Sequence, residues 1–191
     1  MRYLSRVLLW IVPCCVLAGS LASATTLVPA EFGQMAREAE LIVHGTVVSV
    51  QGQLGPQRMI ESLVTLQVAD TLKGTPAAQT TFRVPGGRLG RYRRVMVGAP
   101  QFAAGDEVFL FLKGRAPAIA MPYGLSQGVY RVARNGRAAT VTPAVVSSTG
   151  GVTRGDPARR PLDPAAFARQ VQQALGSVTP PEGRRAIPRS R

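Results

Sequence analysis

Between residues 41 and 142 the chain is a succession of short β-branched and apolar stretches separated by turn signals, and this most restricts what it can fold into. Leu41 to Val50 is apolar on both faces, as a buried strand is. Residues 63–74 alternate instead: Val64, Leu66 and Val68 share one face, Thr65 and Gln67 the other, and the run stops at Lys73-Gly74. Further strands are predicted at 80–84, 93–97, 107–112, 128–133 and 138–142, with turns at Pro85-Gly86-Gly87, Gly105-Asp106 and Asn135-Gly136. Asn-Gly between two β-like runs is a strong hairpin signal. No alternating strand and helix rhythm intervenes, so the expectation is a mainly β fold: a small antiparallel, OB-like barrel or a sandwich.

Two helical segments flank this block. Phe32, Met35, Ala36 and Ala39 recur at spacings of three and four behind Pro29 and Glu31, which predicts a short amphipathic N-terminal helix. Near the C-terminus, Asp163 is placed as N-cap, Pro164 in the first turn and Gly176 as the stop. Leu162 is positioned to staple onto Phe167, and the stripe Phe167, Val171 and Leu175 predicts docking on the β-domain.

The first residues have the layout of a secretory signal. Arg2 and Arg6 precede an apolar run from Val7 to Ala18 and a small-residue cleavage site at Ala22-Ser23-Ala24. The run is short for a ~30 Å hydrocarbon core, and Pro13 interrupts it, so cleavage is expected and no transmembrane segment after it. The predicted organisation is a signal peptide at 1–24, a β-barrel domain with its N-terminal helix at 25–146, and a flexible loop at 147–161. A helix at 162–176 and a disordered basic tail at 177–191 complete it. A chain starting at Thr25 is addressed to the periplasm or the exterior. Cys14 and Cys15 leave with the signal, so disulfides and thiolate metal sites are excluded and stability must come from an apolar core. That chain carries 21 basic against 10 acidic residues, a net +11, which favours anionic partners.

The basic excess is densest in residues 83–100, where five arginines, a tyrosine and four glycines occur without an acidic residue. This is no phosphate loop: G-x-x-x-x-G-K-[ST] is absent, and the glycines open toward a β-like run instead of a helix N-terminus. Arg88, Arg91, Arg93 and Arg94, with Tyr92 as a stacking ring, form the candidate anion-binding set, expected to project into solvent from a tight exposed bend. A single aromatic and an exported address argue against nucleic acid.

Gly124-Leu125-Ser126-Gln127-Gly128 matches G-x-S-x-G, but a nucleophile elbow needs a strand feeding a helix and a histidine later in the chain. The one histidine, His44, lies upstream, and a strand follows the serine. A small serine hydrolase using Ser126 and His44 is therefore the lesser reading. His44 has no second histidine or thiolate with which to hold zinc and is expected to be a strand histidine bonded to a neighbour. Asp106 and Glu107 are adjacent and would point to opposite faces of a strand, Asp106 serving a turn. Neither cofactor nor metal is expected.

Ala39-Glu40-Leu41-Ile42-Val43-His44-Gly45, a second strand ending in Lys73-Gly74, then Phe82-Arg83-Val84-Pro85-Gly86-Gly87 and Gly105-Asp106-Glu107 resemble an organisation found in exported bacterial proteins of unassigned function. More loosely, they are similar to the OB-fold module of netrin-like domains and tissue inhibitors of metalloproteinases. The resemblance spans residues 36–133 and implies a barrel. In those inhibitors a mature N-terminal cysteine chelates the target's zinc; this chain has no cysteine beyond Cys15, so that mechanism does not transfer, and protease binding would need another edge. The expectation is an exported, non-catalytic binding or accessory module, engaging an anionic envelope polymer or an exported protein.

Overall fold

The computed structural model describes residues 30–114, 118–143 and 162–176. The predicted signal peptide, the 147–161 loop and the basic tail lie outside them. Helix α1 (Phe32–Glu38) leads into β1 (Leu41–Leu54) and β2 (Ile60–Lys73), followed by β3 (Gln79–Pro85), β4 (Gly87–Leu89) and β5 (Tyr92–Arg94). Then come β6 (Glu107–Lys113), β7 (Met121–Pro122), β8 (Val129–Asn135), β9 (Ala138–Pro143) and helix α2 (Pro164–Gly176).

The expected mainly β class with two helices is what the chain adopts. Seven strands form one antiparallel sheet in the order β3-β2-β1-β6-β8-β9, with β7 also on β6, while β4 and β5 form a separate ribbon. The sheet does not close into a barrel. It curls until the Arg83 amide of β3 donates to the Ala120 carbonyl at 2.9 Å, just before β7, but no ladder forms there among the described residues. Register shifts in β1 at Ile42/Val43, His44/Gly45 and Val47/Ser49 bend the long β1–β2 ribbon and promote this curl.

β6 lies between β1 and β8, and its alternation divides the core in two. Val108, Leu110 and Leu112 face the inside of the curl with Val43, Val47, Val64, Leu66, Phe82 and Val84. Phe109 and Phe111 face the helices, with Ile42, Tyr130 and Val141. There Phe32 and Met35 of α1 meet Phe167 and Val171 of α2, and the ring centroids of Phe32, Phe109, Phe111, Tyr130 and Phe167 lie 4.7–6.4 Å apart in edge-on or tilted pairs.

Both helix ends use residues legible in the sequence. Asp163 Oδ1 accepts the Ala166 amide at 2.9 Å, the expected N-cap of α2, and Leu162 packs on the same cluster as Phe167. The Lys-Gly stop of β2 also serves α1, since Lys73 Nζ donates to the carbonyls of Ala36 and Arg37 at 3.0 and 2.6 Å. A cation thus meets the helix end where carbonyls lack partners.

One predicted strand is corrected. Of residues 93–97 only Arg93 and Arg94 are strand; from Val95 the chain leaves the ribbon, turns with the Ala99 amide on the Met96 carbonyl at 3.2 Å, and sends Ala99 and Phe102 over the inner core. Covering Phe82 outweighs the β propensity of Val95 and Val97. The predicted Asn-Gly hairpin forms, its two-residue turn falling on Gly136-Arg137 between paired Asn135 and Ala138.

Candidate functional site

The arginine stretch becomes the β4–β5 ribbon, turning at Gly90 and Arg91, with Gly90 at a φ of 57° that favours glycine. The ribbon lies directly on the far end of the β1–β2 pair. Ser62 Oγ donates to the Gly86 carbonyl at 2.9 Å, and the Gly86 amide donates to the Ile60 carbonyl at 3.1 Å. At Gly52 the approach is so close that an added Cβ would stand 1.8 Å from the Arg88 carbonyl oxygen.

Register places Arg88 directly opposite Arg93. Like charges so placed repel, so the pair costs stability unless an anion lies between them. Arg88, Arg91 and Arg93 are exposed, as expected. Arg94 departs from expectation: it is half-buried and reaches back to the Ile60 carbonyl at 3.5 Å, tethering the ribbon to β2. Arg91 lies over the Tyr92 ring at 5.0 Å and donates to its hydroxyl at 2.8 Å, which occupies one face of the expected stacking ring.

Beneath the ribbon is an open cavity of about 230 Å³, lined by apolar Val64, Val84 and Phe102 and by basic Arg88, Arg93 and Arg94, with no carboxylate among the described residues that line it. That volume is below the ~300–1,000 Å³ of sites for drug-sized ligands, so it suits a group or chain end. Sequence reasoning found the arginines but not this cavity, because Phe102 reaches it only through the turn after Arg94.

His44 is the bonded strand histidine that was expected. Its Nδ1 lies 3.0 Å from Asp70 Oδ2 on β2, its Nε2 lies 2.9 Å from Glu107 Oε1 on β6, and its ring stacks on Phe109 with centroids 4.3 Å apart. Glu107 in turn receives Arg134 of β8 through Nε and Nη2 at 2.5 and 2.6 Å. The four side chains cross four neighbouring strands. Arg134 above all, then His44, holds the Glu107 carboxyl below its ordinary value of 4.5 against the opposing effect of burial. A carboxyl so depressed adds stability above its unfolded pKa, and loses it as pH falls through the folded value. Glu107→Gln is therefore expected to cost about 1–2 kcal/mol at pH 7, near the low end for charged hydrogen bonds because Arg134 is open to solvent. The difference from wild type should shrink below pH 4.5 in urea melts across pH, and a pH-independent difference would contradict this account.

Neither ring nitrogen of His44 is directed to Ser126. That serine sits in the helical turn Leu125–Gly128, its amide on the Gly98 carbonyl at 3.1 Å, and the turn feeds strand β8 instead of a helix. Asp106 serves a turn, as expected: Oδ2 accepts the Ala103 amide at 2.9 Å and Arg131 Nη1 at 2.6 Å. Among the described residues no group of three or more His, Cys, Asp or Glu is placed to hold a metal ion, and no helix is long and apolar enough to cross a membrane. Comparison with known proteins finds no matching family model, no matching curated protein and no matching solved structure.

Proposed function

We propose that this chain is an exported, non-catalytic binding module that takes anionic groups of the envelope on the β4–β5 ribbon. The observation that carries the reading is the Arg88–Arg93 pair: two exposed arginines at opposed register positions on a folded base, beside a cavity with no carboxylate among the described residues that line it. Bound phosphate, sulfate or carboxylate groups would relieve that repulsion, and a planar guanidinium donates to their oxygens in bidentate fashion. A binding role also accords with His44, whose ring nitrogens both face carboxylates and so are not free to serve as a base toward Ser126.

A labelled DNA duplex is a convenient polyanion of known charge spacing, although no base preference is expected. With Arg94 tethered, three arginines are available, so the log-log dependence of affinity on salt should have a slope of about −3. Anisotropy titration across salt concentrations would compare the wild type, Arg88→Ala/Arg91→Ala/Arg93→Ala and a chain ending at Gly176. The triple variant should lose most of both affinity and slope, and the truncated chain should keep most of them, since the arginines after Gly176 are no part of the ribbon. If the triple variant keeps both, the ribbon is a solvated hairpin and the reading fails.

A further inference from the structure

The arginines share their end of the molecule with side chains that a soluble polyanion does not need. Among the described residues eight large apolar side chains are exposed, and five of them, Leu54, Met59, Tyr92, Val95 and Val97, belong to the β1–β2 turn and the ribbon with its exit. Val97 is 92% exposed, Val95 65% and Tyr92 60%. Contacts bring these segments together: Leu54 pairs with Ile60, whose carbonyl receives Arg94, the residue before Val95. Arg58, Arg88, Arg91 and Arg93 are exposed on the same segments. Glu61, the carboxylate of this turn, is half-buried and held by Gln53 at 2.9 Å, and Asp70 and Glu107 pair farther back along β1, at His44 and Thr46.

We infer that this end of the domain seats on an anionic lipid bilayer, with Val95 and Val97 entering the boundary beneath the headgroups and the arginines among the phosphates. The inference rests on the anion-binding reading and gives it a partner. A polysaccharide or nucleic-acid backbone offers anionic groups but no apolar layer beneath them, whereas a bilayer offers both. Tyr92, with an apolar ring and a polar tip, suits the boundary between the two.

The test uses the chain from Thr25, which retains every described residue and omits the apolar run 7–18 that would itself enter vesicles. Co-sedimentation would be measured with vesicles of phosphatidylglycerol and phosphatidylcholine, with vesicles of phosphatidylcholine alone, and in parallel by titration with soluble dextran sulfate. The wild type is expected to bind the mixed vesicles and not the neutral ones. Arg88→Ala/Arg91→Ala/Arg93→Ala should weaken vesicle binding about a hundredfold and also reduce dextran sulfate binding. Val95→Asp/Val97→Asp, at exposed positions that leave the core intact, should weaken vesicle binding roughly tenfold or more while dextran sulfate binding is reduced far less. If that variant loses no more for vesicles than for dextran sulfate, or if neutral vesicles bind as well as mixed ones, the bilayer inference fails. Binding of dextran sulfate with no vesicle binding assigns the ribbon to soluble polyanions. A wild type that binds neither vesicles nor dextran sulfate overturns the anion-binding reading itself.

Discussion

Phe111→Ala should leave the domain barely folded. Phe111 is fully buried at the middle of β6, and its ring lies 5.8, 5.5 and 6.4 Å from those of Phe32, Tyr130 and Phe167, so one side chain joins the sheet to both helices. Truncating such a residue costs about 3–5 kcal/mol, against the ~5–15 kcal/mol that usually separates a folded domain from its unfolded chain. The cavity would open between two helices and a sheet that are held apart by other rings, so it should collapse only in part. Urea melts should show a midpoint shifted far below that of the wild type with a similar slope. A loss under about 1 kcal/mol would mean that this cluster is not the centre of the fold.

Gly52→Ala is a smaller substitution with a more directed effect. Gly52 has no positive φ, so alanine meets no backbone objection there; the obstacle is contact alone. Its Cβ would stand 1.8 Å from the Arg88 carbonyl oxygen and 2.7 Å from the Arg88 carbonyl carbon, and neither belongs to a side chain that could swing aside. The ribbon must therefore lift from the β1–β2 pair, at a cost of about 1–3 kcal/mol as in other overpacked sites. The arginines remain in the chain but lose their common base. Anion affinity should then fall toward that of the triple arginine variant, while net charge is unchanged. Affinity equal to wild type in a stably folded Gly52→Ala protein would show that the arginines act through charge alone and that their placement is immaterial.

The contrast between Phe111 and Gly52 also marks how far the sequence can be read. Phe111 is legible as core because residues 108–112 are apolar on both faces of a strand, a local pattern that survives any choice of strand order. Asp163 and the Asn-Gly hairpin signal are equally local: the cap forms in place and the turn one residue on, at Gly136-Arg137. Gly52 carried no such signal, because what makes it necessary is Arg88, thirty-six residues on, passing over it. Asp70 as a partner of His44 and the cavity beside Phe102 depend likewise on register and on a turn far from themselves. Val95 and Val97 misled for a related reason: β-branched residues favour strand only where a neighbouring strand is present to pair, and the inner core needed a cover more than the ribbon needed length. The arginines of the candidate site were visible as composition, while the fact that two of them face each other and a third is tied down is a product of pairing.

The line from Asp70 through His44 and Glu107 to Arg134 has a bearing on how the chain reaches its fold. β1 and β2 meet through a short turn, but β6 joins β1 only after more than fifty intervening residues, and long-range pairing of this kind is where strands most easily settle out of step. A slip of one residue between any two of these strands would turn one member of the line to the opposite face and leave its polar group facing apolar side chains. Hydrophobic contacts among Val, Leu and Phe tolerate small displacements along a strand, whereas an imidazole between two carboxylates does not. The line therefore works as a gauge of alignment, accepting the correct offset of four strands together and penalising the neighbouring ones.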